Sequence, residues 1–136
     1  MTNAVRDVEI LVCTRCRRGQ DAAEAAERPG AVLYRRLADD HTHGARVTAV
    51  ECLSNCKRGC TIALRGPGRW TYIYGDFDER APLDPIHEGT ARYRATPDGL
   101  VPWRDRPEHF RKNCIARVPP LDAPVLIPLG PSPGDA

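Results

Sequence analysis

Five of the six cysteines lie in two short clusters, and each cluster directly follows a strand-like run of apolar residues. The first run, VEILVC (8–13), is rich in β-branched residues, and the second, RVTAVE (46–51), alternates as a half-buried strand does. The first cluster consists of Cys13, which ends the first run, and Cys16. The second consists of Cys52, Cys56 and Cys60, which follow the second run. A fold for this chain must therefore place two groups of thiols at the ends of two strands.

The remaining elements complete an alternating pattern. A helix is predicted over 29–41, because Val32, Leu33 and Leu37 recur at helical spacing after Pro29. The turn sequence GPG (66–68) joins two strand-like runs into a hairpin, TIALR and RWTYIYGDF. Further helices are predicted over 84–95 and from Pro107. The order strand, helix, strand, strand, strand, helix follows.

This order predicts an α/β fold, a thioredoxin-like sandwich with a mixed four-stranded sheet. Residues 1–118 are expected to form the domain, and 119–136 a Pro-rich tail with six prolines. In such a sheet, the loops after the first and second parallel strands emerge side by side at one edge. CTRC is therefore expected next to CLSNCKRGC.

The core is thin, since Leu, Ile, Val and Phe make up only 27 of 136 residues. Small domains of this kind often depend on metals or disulfides. The N-terminal MTNAVRDVEI resembles no secretory signal, and no apolar stretch is long enough to span a bilayer. We therefore expect a cytoplasmic protein, in which reduced thiols bind metal or act chemically rather than form disulfides.

Four thiolates that converge on one point suit an iron–sulfur cluster or a tetrahedral zinc ion. Two short-spaced pairs can supply them, Cys13 with Cys16 and Cys52 with Cys56. The 35 residues between Cys16 and Cys52 exceed the gap of about 15 to 20 typical of a zinc ribbon. That gap disfavours a ribbon and leaves other structural zinc sites open.

VECLSNC, followed by a strand and WTYIYGDF, resembles the second half of thioredoxin-like 2Fe–2S ferredoxins, which include a subunit of respiratory NADH dehydrogenase. The resemblance implies a 2Fe–2S cluster held by Cys13, Cys16, Cys52 and Cys56. Over about residues 8–120, LVCTRCRRG, VECLSNCKRGCTIAL, GRWTYIYGD, DGLVPWRDRP and IARVPP together resemble a family of small predicted metal-binding proteins of unassigned function. That family is often found near cobalamin and cobalt genes, which implies electron transfer in cobalamin metabolism.

Two departures from the ferredoxin pattern concern the ligands. The ferredoxins separate their first two cysteines by more than two residues, whereas only two residues lie between Cys13 and Cys16. Cys60 has no counterpart in them. It is interpreted either as a small buried hydrophobe or as a reserve ligand. Cys114, far from both clusters, is interpreted as ordinary packing.

A CxxC directly after a first strand is also typical of a thioredoxin-type thiol-disulfide oxidoreductase. Nearby arginines would favour its reactive thiolate. Against this alternative, the cis-proline expected before the third strand is missing, since no proline lies between Pro29 and Pro67. The second pair of cysteines would also have no role. A one-electron carrier, without a substrate pocket and so not an enzyme, is the preferred interpretation.

Basic residues surround the cysteines, namely Arg15, Arg17, Arg18, Lys57 and Arg58. They predict a redox protein partner with an acidic surface, because opposite charges steer such encounters. A second basic group consists of Arg104, Arg106, Arg111, Lys112 and Arg117. It lacks the interleaved aromatic residues that are typical of nucleic-acid-binding surfaces. We therefore expect no nucleic-acid partner and no membrane association. The sequence is compatible with a homodimer.

Overall fold

The structure is a computed structural model that describes residues 8–15, 27–40 and 43–121. Five strands and three α-helices occur in these ranges, together with short 3-10 turns at Cys56–Arg58 and Trp103–Asp105. In chain order they are β1 (Glu9–Cys13), α1 (Pro29–Asp39), β2 (Arg46–Val50), β3 (Ile62–Arg65), β4 (Thr71–Tyr74), α2 (Asp84–Ala95), α3 (Glu108–Lys112) and β5 (Cys114–Val118).

The strands form one mixed sheet in the order β2-β1-β3-β4-β5. The β1 and β2 strands are parallel, whereas β1–β3, β3–β4 and β4–β5 are antiparallel. A parallel crossover through α1 is thus followed by a hairpin, which is the thioredoxin-like arrangement predicted from the sequence. The fold class is confirmed.

One face of the sheet carries the apolar core. Every residue of β1, which lies between β2 and β3, is buried. Leu33 and Leu37 of α1 are fully buried in the same cluster. The hairpin contributes Tyr72 and Tyr74, whose rings stack at 5.8 Å between centroids. These tyrosines therefore serve packing.

The helices α2 and α3 cover the aromatic part of the core. The Tyr93 ring of α2 meets Tyr72 edge to face at 6.3 Å, and Phe110 of α3 stacks on Tyr74 at 4.1 Å. Gly89 of α2 lies directly against the Phe110 ring, where a larger residue would have no room. The predicted bounds of α2 are confirmed.

The sheet has five strands, not the four predicted. The sequence CIARV forms β5 against β4, with a register shift between Ile73 and Tyr74. Its alternation is weak, because only Cys114 and Ile115 are partly buried and the last three residues are exposed. An edge strand of this kind contributes little apolar periodicity, so the pattern missed it.

The structure describes only the first three residues of the predicted Pro-rich tail (119–136). Pro119, Pro120 and Leu121 follow β5 directly, and residues 122–136 lie outside the described residues. Among the described residues, no helix is long and apolar enough to cross a membrane.

Candidate metal centre

The two cysteine clusters meet at the carboxyl ends of β1 and β2. The register pairs Cys13 with Val50, the last residues of the two parallel strands. Beyond them, the Thr14 N–H donates to Val50 O at 2.9 Å and the Arg15 N–H to Glu51 O at 3.2 Å. The pairing continues past the strands, so the turn after Cys13 is held against the start of the second cluster. The sequence predicted this juxtaposition.

Three of the predicted ligands are brought together there. The Cys13 thiol is buried and donates to Glu51 O at 3.8 Å, whereas Cys52 and Cys56 are exposed. The backbone N–H of Ser54 donates to Cys52 Sγ at 3.2 Å and lowers the pKa of this thiol. The Ser54 hydroxyl, Cys56 and then Cys13 lower that pKa further through hydrogen bonding to Cys52. The site thus favours a thiolate at Cys52.

The ligand set is not complete among the described residues. Within 8–15, 27–40 and 43–121, no group of three or more His, Cys, Asp or Glu side chains is arranged to hold a metal ion. Cys16, the fourth predicted ligand, lies outside the described residues. The donor chemistry nevertheless fits a thiolate-bound cluster, because Cys13, Cys52 and Cys56 supply sulfur ligands at one end of the sheet and Cys52 receives a backbone hydrogen bond of the kind that stabilises thiolates.

The segment 51–60, which we call the cysteine loop, is an irregular loop and not a helix. It contains one 3-10 turn, Cys56–Arg58. Ser54 has a positive φ of 58°, which aims its N–H back at Cys52. The Asn55 side chain donates to Thr61 Oγ1 at 3.0 Å and to Arg58 O at 3.4 Å. The loop is therefore closed by its own polar side chains.

A second set of contacts fixes the cysteine loop to the end of β4 and the start of β5. The Arg58 guanidinium pairs with Asp76 at 2.6 Å and donates to Asn113 Oδ1 at 3.2 Å. The Asp76 N–H donates in return to Arg58 O. A side chain on Gly75 would have its Cβ 2.6 Å from Arg58 O and 2.8 Å from Asn55 Nδ2. Only glycine allows this approach.

Cys60 is separated from the other thiols of its cluster by burial. Its side chain is fully buried in the apolar core, at 0% exposure. Its backbone exchanges two hydrogen bonds with Phe77, of 3.0 and 3.1 Å, and the Gly59–Cys60 peptide bond is cis. This placement agrees with the buried-hydrophobe interpretation of Cys60.

Cys114 lies at the start of β5, opposite Tyr74, and is partly buried. Burial raises the pKa of its thiol, which donates to Ala116 O at 3.8 Å. The strand order puts β3 and β4 between β5 and β1. Cys114 is thus placed apart from the three neighbouring thiols, as the packing interpretation requires.

The charges around the site are partly balanced. Arg15 pairs with Glu51 at 3.4 Å, and Arg58 pairs with Asp76. Lys57 is exposed on the 3-10 turn. Arg17 and Arg18 lie outside the described residues. Among the three of these cations that the structure describes, carboxylates thus compensate Arg15 and Arg58.

Sequence reasoning missed the residues that shape the cysteine loop. The backbone N–H that contacts Cys52 Sγ belongs to Ser54, and the Asn55 side chain closes the loop. Ser54-Asn55 and Gly75-Asp76 are turn-forming dipeptides, and this was the available signal. Their pairing across 20 residues could be seen only in the fold.

Comparison with known proteins gives a family and one distant structural likeness. The model of a family described as protein of unknown function (DUF1636) matches residues 10–120. A search of the curated proteins finds no match. Among solved structures, a thioredoxin-like [2Fe-2S] ferredoxin from Aquifex aeolicus is similar at 14% identity, covering 87% of this chain and 98% of its own, with a TM-score of 0.48. So low a TM-score supports no conclusion about function.

Proposed function

The chain belongs to the DUF1636 family, and we propose that it is a ferredoxin-like carrier of single electrons that binds a 2Fe–2S cluster. The ligands would be Cys13, Cys16, Cys52 and Cys56. One observation carries the proposal: backbone hydrogen bonds from Thr14 to Val50 and from Arg15 to Glu51 hold the turn after Cys13 against the residues that lead into Cys52, although about 40 residues separate the two cysteines.

The surroundings of these thiols suit a ligand role better than a packing role. Cys52 and Cys56 are exposed, whereas cysteines that only pack are usually buried. Cys13 closes the inner side of the site. A backbone N–H directed at Cys52 Sγ is the type of contact that stabilises a ligating thiolate and tunes its potential.

A 2Fe–2S cluster, when bound, accepts or releases one electron. The chain's own contribution would be to hold the ligands still and to set the surrounding charge. The Arg58–Asp76 pair and the Asn55 side chain fix the 3-10 turn that begins at Cys56. Exposed Lys57 adds positive charge beside the site, which favours the more negative, reduced state.

The same positive charge supports a protein partner with an acidic redox surface. Lys57 is exposed beside the cysteines and would raise the rate of encounter at low salt. We further propose a cytoplasmic setting, where thiols stay reduced, and a role in cobalamin or cobalt metabolism, which rests on the family resemblance alone.

The experiment is anaerobic purification of the full chain followed by electron paramagnetic resonance before and after reduction with dithionite. We expect the oxidised protein to be coloured and to show no paramagnetic resonance signal. After reduction it should show a signal of about one unpaired electron per chain. Serine variants of Cys13, Cys16, Cys52 and Cys56 should each lose the signal.

Two outcomes would contradict the proposal. A colourless protein with bound zinc and no signal after reduction would show a structural zinc module. A colourless, metal-free protein that takes up two electrons per chain would show a thiol-disulfide oxidoreductase, provided that the Cys16→Ser variant no longer takes them up.

A further inference from the structure

The end of the sheet opposite the cysteines holds an open cavity of about 450 Å³. It lies where β1 and β2 begin and where β3 ends, beside the GPG turn. Its described lining includes Glu9, the three arginines Arg46, Arg65 and Arg69, and the chain segment 119–121. None of these residues takes part in the proposed metal centre.

The described lining of the cavity is strongly basic. It contains three arginines and one carboxylate, Glu9, so its formal charge is three minus one, or +2. The side chains of Arg46 and Arg65 are 56% and 54% exposed. Two of the three guanidiniums are therefore accessible from solvent in a concave surface.

Glu9 fixes these two arginines side by side. It occupies the central strand, and its register partners are Arg46 on β2 and Arg65 on β3. Its buried carboxylate accepts a hydrogen bond of 2.8 Å from Arg65 Nε and one from the Thr48 hydroxyl. Although burial opposes it, the hydrogen bonds from Thr48 and Arg65 hold the pKa of Glu9 below its ordinary value.

The single carboxylate does not satisfy both guanidiniums equally. Arg46 Nη2 stands 3.9 Å from Glu9 Oε1, which is too long for a hydrogen bond. The Arg46 fork is therefore held near Glu9 by charge and keeps its hydrogen-bonding capacity. Because guanidinium forks match the oxygens of phosphate and carboxylate groups in bidentate fashion, the pair is preorganised for an oxyanion.

Arg69 is held at the third side of the cavity. Its Nη1 donates to the carbonyls of Tyr93 and Arg94 at 3.0 and 3.3 Å, and its guanidinium lies 5.8 Å from the Tyr93 ring centroid. These contacts restrict its motion, and among the described residues no carboxylate forms an ion pair with it. The third cation is thus fixed in place before a ligand arrives.

We propose that this cavity is a binding site for a small polyanion, a phosphate ester or a polycarboxylate, gripped between Arg46 and Arg65 with Arg69 at its side. The formal charge of +2 on the described lining favours a ligand with at least two negative charges. The apolar wall of Pro119, Pro120 and Leu121 would accept the carbon skeleton of that ligand. The proposal does not depend on the cluster.

The test is titration of the isotopically labelled full chain with inorganic phosphate and, separately, with citrate, at constant ionic strength set by chloride. We expect saturable shifts of the backbone amide signals of Gly66, Gly68 and Thr71. The Arg46→Gln variant should bind at least about tenfold more weakly, as loss of a charged hydrogen bond does. The tighter of the two probes identifies the ligand class.

Arg92→Gln is the matched control, since it removes one exposed arginine of α2 outside the cavity lining and should leave the affinity unchanged. Arg65→Gln should weaken binding as well. The Arg65→Gln substitution also removes a hydrogen-bond partner of buried Glu9, so the folding of this variant is checked by thermal unfolding. The proposal is therefore judged on the affinity of Arg46→Gln. Two results would overturn the proposal. One is amide shifts that grow linearly with phosphate or citrate and that chloride reproduces, and the other is equal affinity of wild type and Arg46→Gln.

Discussion

The two ends of the sheet are built by different means. At the cysteine end, residues in loops after the strands are drawn together by polar contacts, such as that between Arg58 and Asp76. At the arginine end, Glu9 and its two arginine neighbours are side by side because of strand register alone. A loop-built site depends on a few contacts that one substitution can break, whereas a register-built site lasts as long as the sheet does.

The largest effects are expected at the cysteine end. Replacing Cys52 or Cys56 with serine should abolish cluster binding, because a hydroxyl is a poor substitute for a thiolate on iron. The midpoint of thermal unfolding should change little in these variants, because the strand register that builds the arginine end does not depend on the cysteines. Iron and sulfide content, measured beside the thermal midpoint, checks both statements.

Cys114→Ser and Cys60→Ala are the controls for that experiment. Cys114→Ser should keep the cluster, since β3 and β4 separate β5 from β1. Cys60→Ala should also keep it and lower the free energy of unfolding by on the order of 1 kcal/mol, as truncation of a buried side chain does. Loss of the cluster in Cys60→Ala would make Cys60 a ligand and contradict the assignment of Cys56.

Alanine substitutions at two glycines distinguish damage to the cysteine loop from a general loss of stability. Gly75→Ala should lower the free energy of unfolding by about 1–3 kcal/mol and reduce cluster content, because its Cβ would meet Arg58 O. Gly68→Ala, at the other end, meets no atom within 4 Å but has a φ of +68°. It should cost about 1–2 kcal/mol through backbone strain and leave the cluster intact.

Equal cluster content in the two alanine variants would contradict the importance of the Gly75 approach to the cysteine loop. Chemical denaturation supplies the free energies, and the visible absorbance per chain supplies the cluster content. Comparing the two variants under the same conditions cancels any general effect of lower stability on cluster binding.

A pH effect is expected at the arginine end. Burial raises the pKa of Glu9, but the hydrogen bonds and charges of Thr48, Arg65 and Arg46 outweigh it and lower this pKa. Because the pKa in the folded state lies below that in the unfolded state, the stabilisation is fully present above about pH 4.5 and is lost as the pH falls through the folded value.

Glu9→Gln should therefore be less stable than wild type by about 1.5–3 kcal/mol at neutral pH, the range of hydrogen bonds to charged groups. The difference should shrink as the pH falls below the ordinary carboxyl pKa. Thermal unfolding of both proteins between pH 3 and pH 7, about the range in which a carboxyl group titrates, measures it. A difference that grew with acidity would contradict the sign.

The smallest effects concern the charge balance of the cysteine loop. Asp76→Asn leaves Arg58 uncompensated and should raise the reduction potential of the cluster, whereas Arg58→Gln should lower it. Each shift should stay below about 60 mV, which is about 1.4 kcal/mol for one electron. Both side chains are more than a third exposed, so the pair adds at most about 1 kcal/mol to stability.

Redox titration followed by visible absorbance measures these potentials. Shifts of the same sign in Asp76→Asn and Arg58→Gln would show that the pair acts by positioning Cys56 and not by its charge. Asp105→Asn, an exposed carboxylate on the Trp103–Asp105 turn, is the control and should leave the potential unchanged.

The parts of the molecule that follow from local pattern were predictable. Apolar periodicity identified α1, α2 and the first four strands, and the order of these elements gave the sheet topology. The same topology predicted that Cys13 would lie beside Cys52. The fifth strand was missed, since its last three residues are exposed and contribute no alternation.

What the sequence could not supply were contacts between distant polar residues. Asn113 reaches Arg58 across 55 positions, and Glu9 reaches Arg65 across 56. Such pairs leave no periodic trace in one sequence. The role of Ser54 depends on a positive φ that serine rarely adopts, so no residue preference pointed to it.

The central claim is that the neighbouring thiols bind a 2Fe–2S cluster. It is tested most directly by measuring iron, acid-labile sulfide and zinc in one sample of the anaerobically purified chain. We predict equal amounts of iron and sulfide, about two of each per chain, with no stoichiometric zinc. About one zinc per chain without sulfide would contradict the claim and show a structural zinc site.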